Sequence, residues 1–322
     1  MTAFSWKGKY GAVYGTGSDP EIFVMDATGK LIPAFKALPK GTPSFYADGF
    51  AFEANVSYAS CHYDVADNVK LFIAAASWQG TPTLQNVVEI SPEEMAGYSD
   101  LEIRLGCTPS FNAYGMQGDL ADGRSLLWRS AGGHVHLGIN RALPVSRIIA
   151  DEIAKTCDAL AGLVGVCMAR NFDKPIRRRH YGLAGEYRLP AHGFEYRTLS
   201  NWWLIAPSAA HIAFDLTREA ATLGEAGLRR LLELNEGEVM ECINFCDVSR
   251  AEKLLENHSA IHSIVAAKYN HSIPFHQTQF CKALKEGIDS IFDAKTIVNN
   301  WATSRRGWVE LERGQVRTLS SM

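Results

Sequence analysis

Over its first two hundred residues the chain alternates short runs in which every second position is apolar with breaks rich in Gly, Pro and Asp. The last hundred residues change to a helical spacing. The runs predict strands at 21–26 (EIFVMD), 49–56 (GFAFEANV), 101–107 (LEIRLGC), 132–139 (GGHVHLGI), 185–189 (GEYRL) and 193–199 (GFEYRTL). GTGS at 15–18 reads as the turn into the first of them. Helices are expected at about 63–79 and at 145–169, the second introduced by Pro144, where a helix start tolerates proline. From Pro207 onward the recurrence of Ile212, Leu216, Ala220 and Leu223, and then of Leu228, Leu231 and Leu234, follows a helical period. Short linkers between these elements favour an α+β fold in which 1–205 form the core and 206–322 form a helical region packed on it, within the same structural domain.

Residues two apart in a strand share a face, and this divides the runs the same way almost every time. His134 and His136 oppose Val135, Leu137 and Ile139. Glu195 and Arg197 oppose Phe194 and Tyr196, and Glu186 and Arg188 oppose Tyr187 and Leu189. Glu102 and Arg104 oppose Leu101, Ile103 and Leu105, and Glu53 opposes Phe52. A solvated sheet face would alternate too. However, Glu, Arg and His are the types that bind cations and phosphates, and the flanking glycines 132, 133, 138, 185 and 193 suit close approach of a ligand or another backbone.

Composition adds limits. With 322 residues and 47% hydrophobic content the chain has material for a sizeable core, and 32 basic against 35 acidic residues give no general attraction for nucleic acid or an anionic membrane. No run is long and apolar enough for a membrane span, and the N-terminus has no signal-peptide character, so a cytoplasmic location is expected, that of the host if the chain is phage-encoded. Seven scattered cysteines without a CxxC pair suit reduced thiols.

If the strands lie side by side, their carboxylates repel one another unless a cation sits between them. Oxygen ligands with imidazole point to Mg²⁺ or Mn²⁺, and the arginines then need an anion, most simply a polyphosphate. The run 168–188 adds Arg170, Lys174, Arg177, Arg178, Arg179 and Arg188, a loop suited to embracing phosphate, its three consecutive arginines suiting equally an RNA or partner contact.

The succession GSDPEIF (17–23), ADGFAFEANV (47–56), LGCTPSFNAY (105–114), RSAGGHVHLGI (129–139), RRRHYGLAGEYR (177–188) and FEYRTLSNWW (194–203) resembles the phage-type carboxylate-amine ligases, amidoligases of the glutamine synthetase and glutamate-cysteine ligase superfamily. The resemblance spans roughly Gly15 to Leu204. It implies a curved antiparallel sheet flanked by helices, ATP and Mg²⁺ (or Mn²⁺) as cofactors, and an amide or peptide-like bond formed through an acyl phosphate. It also implies Glu21, Glu53, His134 and Glu195 as metal ligands, with Arg188 and Arg197, and more loosely Arg178 or Arg179, on the phosphates. His136 is expected to touch nucleotide or to support His134. For the base that deprotonates the amine, Glu186, Asp48 and Glu102 stand open. The small N-terminal domain and ammonia-site loop of glutamine synthetase have no counterpart, so glutamine synthesis itself is not implied.

Two further readings remain: a metal-dependent hydrolase or oxygenase using His134, His136 and a glutamate, which leaves the arginines idle, and a non-catalytic virion or interaction protein that keeps the fold. The expected partners are a small-molecule or peptide carboxylate and an amine, with no membrane and no strong nucleic-acid signal, and a homo-oligomer is left open. Trp202, Trp203 and Trp128 are expected in core or subunit packing, Cys107 as a buried thiol, and His258 and His262 at a surface or interface.

Overall fold

The computed structural model describes residues 12–60, 62–100, 102–103, 110–118, 122–140, 145–257, 277–302, 309–312 and 315–318. The chain is a mixed α+β protein built on a nine-stranded antiparallel sheet. Its strands are β1 (Ala12–Met25), β2 (Phe45–Asp48), β3 (Ala51–Ala54), β4 (Val56–Ala59), β5 (Thr81–Thr83), β7 (Phe111–Asn112), β9 (Gly133–Asn140), β10 (Glu186–Arg188) and β11 (Gly193–Tyr196). The order across the sheet is β2-β3-β1-β9-β11-β10-β7, with β4 and β5 also pairing β1. A separate pair, β6 (Val87–Glu89) and β8 (Trp128–Ser130), lies off this sheet.

One face of the sheet is apolar. Ile22, Phe52, Val135, Leu137, Phe194, Tyr187 and Tyr196 are buried there, in one cluster with residues of the helices α2 (His62–Ser77), α4 (Arg147–Cys157), α5 (Leu163–Met168) and α6 (Pro207–Glu225). Residues as distant in sequence as Ile22 and Trp301 share that core. The opposite face is apolar only at one end. There Phe23 and Ala51, two residues from Glu21 and Glu53, join Val88, Ile90, Met95 and Tyr98 in a smaller cluster. This leaves the remainder of that face for charge.

Several expectations are modified. GTGS lies inside β1, whose register shifts between Val13 and Gly15, and does not form a turn before it. The helix expected over 145–169 is interrupted by a π-turn at Asp158–Gly162, where Asp158 accepts a 2.6 Å hydrogen bond from the buried Tyr196 hydroxyl. Its start is capped by Ser146, whose hydroxyl accepts from Ile149 N–H; Pro144 lies outside the described residues. Leu228 to Leu234 do not continue the helical period. Gly227, at φ +68°, ends α6, and Arg229–Leu232 make a single 3-10 turn. The C-terminal part is otherwise helical in α7 (Glu236–Asn244), α8 (Val248–Asn257), α9 (Gln277–Glu286) and α10 (Ile297–Ala302), but it ends in two paired strands, β12 (Val309–Glu312) and β13 (Gln315–Thr318). Most of the strand expected at 101–107, with Arg104 and Cys107, lies outside the described residues, as do His258 and His262.

Candidate functional site

The register of the sheet gathers the charged positions. Glu21 of β1 pairs with Glu53 of β3, and Glu53 with Tyr46 of β2. Asp19 pairs with His134, His136 with Glu195, and Glu195 with Arg188. Because each pair shares a face, side chains from six strands meet on the side of the sheet away from the main core.

They form two groups of possible cation ligands. Glu21, Asp48 and Glu53 each offer one oxygen, all within 4.8 Å of one another. Asp19, His136 and Glu195 do the same with one ligand atom each. His134 adjoins the second group, its Nδ1 lying 3.1 Å from Asp19 Oδ1 and 3.4 Å from Glu195 Oε1. His136 Nε2 lies 3.0 Å from the same Asp19 oxygen. Although these atoms are close, Asp19 Oδ1, His134 Nδ1 and His136 Nε2 are buried without a well-directed hydrogen bond. Buried polar atoms that converge on one point without pairing fit a divalent cation with oxygen and imidazole ligands.

The electrostatics agree. Burial, and then repulsion by Asp48, pushes the Glu21 carboxyl up to about 7, against hydrogen bonds from Tyr181 and Gly132 N–H. Burial, and then Glu21, Asp19 and Asp48, pushes Glu53 up to about 9. Asp48 is raised by burial, with Arg197 opposing. Burial would also raise Asp19, but His134 and His136 outweigh it and hold that carboxyl well below the usual range. Of the two imidazoles, His134 is pushed down by burial. His136 is pushed up because its contact with Asp19 overcomes burial.

Three basic side chains border the groups. Arg188 grips Glu195 with Nε 2.7 Å and Nη2 2.6 Å from its two oxygens, and lies 3.8 Å from Asp19. Arg197 Nε is 3.4 Å from Glu195, and its Nη1 donates to Ser110 at 3.0 Å. His192, in the turn between β10 and β11, stands 3.1 Å from His136 Nδ1.

The residues expected to bind metal are therefore brought together, in two groups. Asp19 was not among the expected ligands and Asp48 only as a base. Both are plain in the sequence as acids in DPEIF and ADG, yet neither lies in one of the charge-alternating strand stretches. His136 takes a place among the possible ligands beside His134. Arg178 is a correction. Its guanidinium is buried, 2.5 Å from Asp173 and bonded to the carbonyls of Gly182 and Thr198, so it is consumed in holding the 173–198 segment and is not available to phosphate. Arg179 is exposed. Glu186 is buried, accepts from Gly182 N–H at 2.8 Å and is raised by burial against three nearby arginines. Glu102 bonds within its own turn to Ser99. Trp202 and Trp203 are core residues, while Trp128 is partly buried against His180 at 5.2 Å between rings.

An antiparallel sheet with paired acidic groups, imidazoles and guanidinium groups on one side has the chemistry of a sheet-borne site suited to cations and an anion. By comparison, residues 120–245 match the model of the phage phiEco32-like COOH.NH2 ligase, type 2. This is the phage-type carboxylate-amine ligase family that the six motifs resemble. The matched segment holds His134, His136, Glu186, Arg188, Glu195 and Arg197, while Asp19, Glu21, Asp48 and Glu53 precede it. Comparison with curated proteins and with solved structures gave no match. Among the described residues no helix is long and apolar enough to cross a membrane.

Proposed function

We propose that the protein is an ATP-dependent carboxylate-amine ligase that joins an acid to an amine through an acyl phosphate, on a curved sheet of the glutamine synthetase kind. The observation that carries this reading is the meeting of two cation-ligand groups with Arg188 and Arg197 on one sheet face, in a chain whose segment 120–245 matches a carboxylate-amine ligase family.

A carboxylate does not acylate an amine at neutral pH, because its leaving group is oxide or hydroxide. Magnesium-bound ATP supplies a γ-phosphoryl group that converts this oxygen into phosphate, a competent leaving group. Glu21, Asp48 and Glu53 would hold one cation, and Asp19, His134, His136 and Glu195 another, the metals supplying charge that offsets that of the phosphates. Arg188 and Arg197 place positive charge where the transferred phosphoryl group develops its negative charge. Arg179, exposed at the end of the basic run, adds to the phosphate cover. Glu186, whose protonated form burial favours, takes the proton that the amine loses on forming the amide. The Asp19, His134 and Glu195 side chains are largely shielded from solvent, which limits hydrolysis of the activated acid.

Pooled acids and amines offered with ATP and Mg²⁺ test the reading: release of ADP and phosphate must require both an acid and an amine. Tight cation binding with no cation-dependent nucleotide binding would instead favour a hydrolase or oxygenase.

A further inference from the structure

The Tyr181 hydroxyl stands between the two groups of cation ligands. It lies 2.7 Å from Glu21 Oε1 and also against His134 Nε2. A phenol has one proton to donate, and an ionised carboxylate can only accept. Glu21 Oε2 is engaged by Gly132 N–H at 2.7 Å, so the phenol proton points to Oε1. The phenol oxygen can then only accept from His134, which places that ring's proton on Nε2. The Nδ1 lone pair is left facing Asp19 Oδ1 at 3.1 Å and Glu195 Oε1 at 3.4 Å. A lone pair turned toward two carboxylate oxygens is repulsive unless a cation lies among them.

Resting on the cation reading above, we propose that Tyr181 is a positioning residue that selects the His134 tautomer in which Nδ1 ligates, and thereby links the two cation groups. Ionised Glu21 orients the phenol, and the phenol orients the imidazole. The ring is fixed for this task. The guanidinium carbons of Arg177 and Arg197 lie 5.2 and 5.5 Å from its centre. Gly132 gives it room, since a Cβ there would stand 2.8 Å from Tyr181 Cε1. Gly182, at φ +73°, turns the chain immediately after it in a conformation that glycine supplies without strain.

Two measurements test the assignment. In the wild-type chain with ¹⁵N-labelled histidine, loaded with Mg²⁺, long-range proton-nitrogen correlation should show His134 protonated at Nε2 and not at Nδ1, its signals identified by their loss in His134→Asn. The opposite tautomer overturns the proposal. Binding of Mn²⁺ alone, followed by electron paramagnetic resonance, should weaken about 10- to 100-fold at one site in Tyr181→Phe, the effect typical of losing an outer hydrogen-bond partner of a ligating histidine. Unchanged affinity in that variant overturns the role of Tyr181 while leaving the ligase reading intact. A wild-type chain that binds no Mn²⁺ overturns the cation reading and this assignment with it. Should Tyr181→Phe fail to fold, the wild-type tautomer decides.

Discussion

Arg188 and Glu195, cross-strand partners on β10 and β11, are joined by two contacts of 2.7 and 2.6 Å, one from each of two guanidinium nitrogens to each carboxylate oxygen. This fork uses the planar geometry that lysine lacks. Arg188→Lys keeps the charge and loses the fork. We expect nucleotide affinity, read by titration calorimetry in Mg²⁺, to fall about 10- to 100-fold, the worth of one charge-assisted hydrogen bond. Equal affinity would remove Arg188 from the phosphate site.

Asp19 Oδ1 is the atom on which both imidazoles converge, at 3.1 and 3.0 Å. Asp19→Asn has nearly the same shape but loses the charge. Mn²⁺ affinity is expected to drop by more than the roughly 10- to 100-fold typical of outer partners, with circular dichroism unchanged. Retention of wild-type affinity would remove Asp19 from the ligand set.

The raised carboxyls make stability depend on pH with a definite sign. Glu21 and Glu53 move from an ordinary value of 4.5 to about 7 and about 9 in the fold. The folded chain therefore binds protons more tightly than the unfolded one. Their contribution is fully present below 4.5 and is lost as pH rises through about 7 and then about 9. Without divalent cation the melting temperature should decline across that window, and Mg²⁺ should flatten the decline by stabilising the ionised forms. A cation-free profile that rises there contradicts the site electrostatics.

The adjacent arginines 178 and 179 should separate stability from binding. Arg178 is buried on Asp173, so Arg178→Ala strips that buried carboxylate of its nearest cation, leaving Asn86 and the more distant Arg177 beside it, and should cost about 3 kcal/mol in urea unfolding. Arg179→Ala should leave unfolding unchanged and weaken nucleotide binding. The reverse pattern would return Arg178 to the phosphate site.

Much of this was legible along the chain because strand alternation is a local property. The chain pattern separates His134, His136, Glu195, Arg197, Glu186 and Arg188 from the apolar side chains of the same strands, and in the fold those apolar partners line the core. The motif succession likewise points to the family that residues 120–245 match. What alternation cannot carry is register. Which carboxylate faces which depends on pairing between strands more than a hundred residues apart, as where Asp19 meets His134. For the same reason the division of the ligands into two groups, with Asp19 and Asp48 among them, is set only by the fold.

The fate of the basic run was likewise a tertiary matter. Arg178 and Arg179 are neighbours of the same chemistry, yet one is turned inward onto Asp173 and backbone carbonyls while the other reaches solvent. The sequence by itself determined which residues could bear charge toward a common face, because side-chain direction in a strand has a period of two. Only the tertiary structure decided which of them meet, since an ion pair or a cation site depends on distances of a few ångströms that long-range packing alone sets.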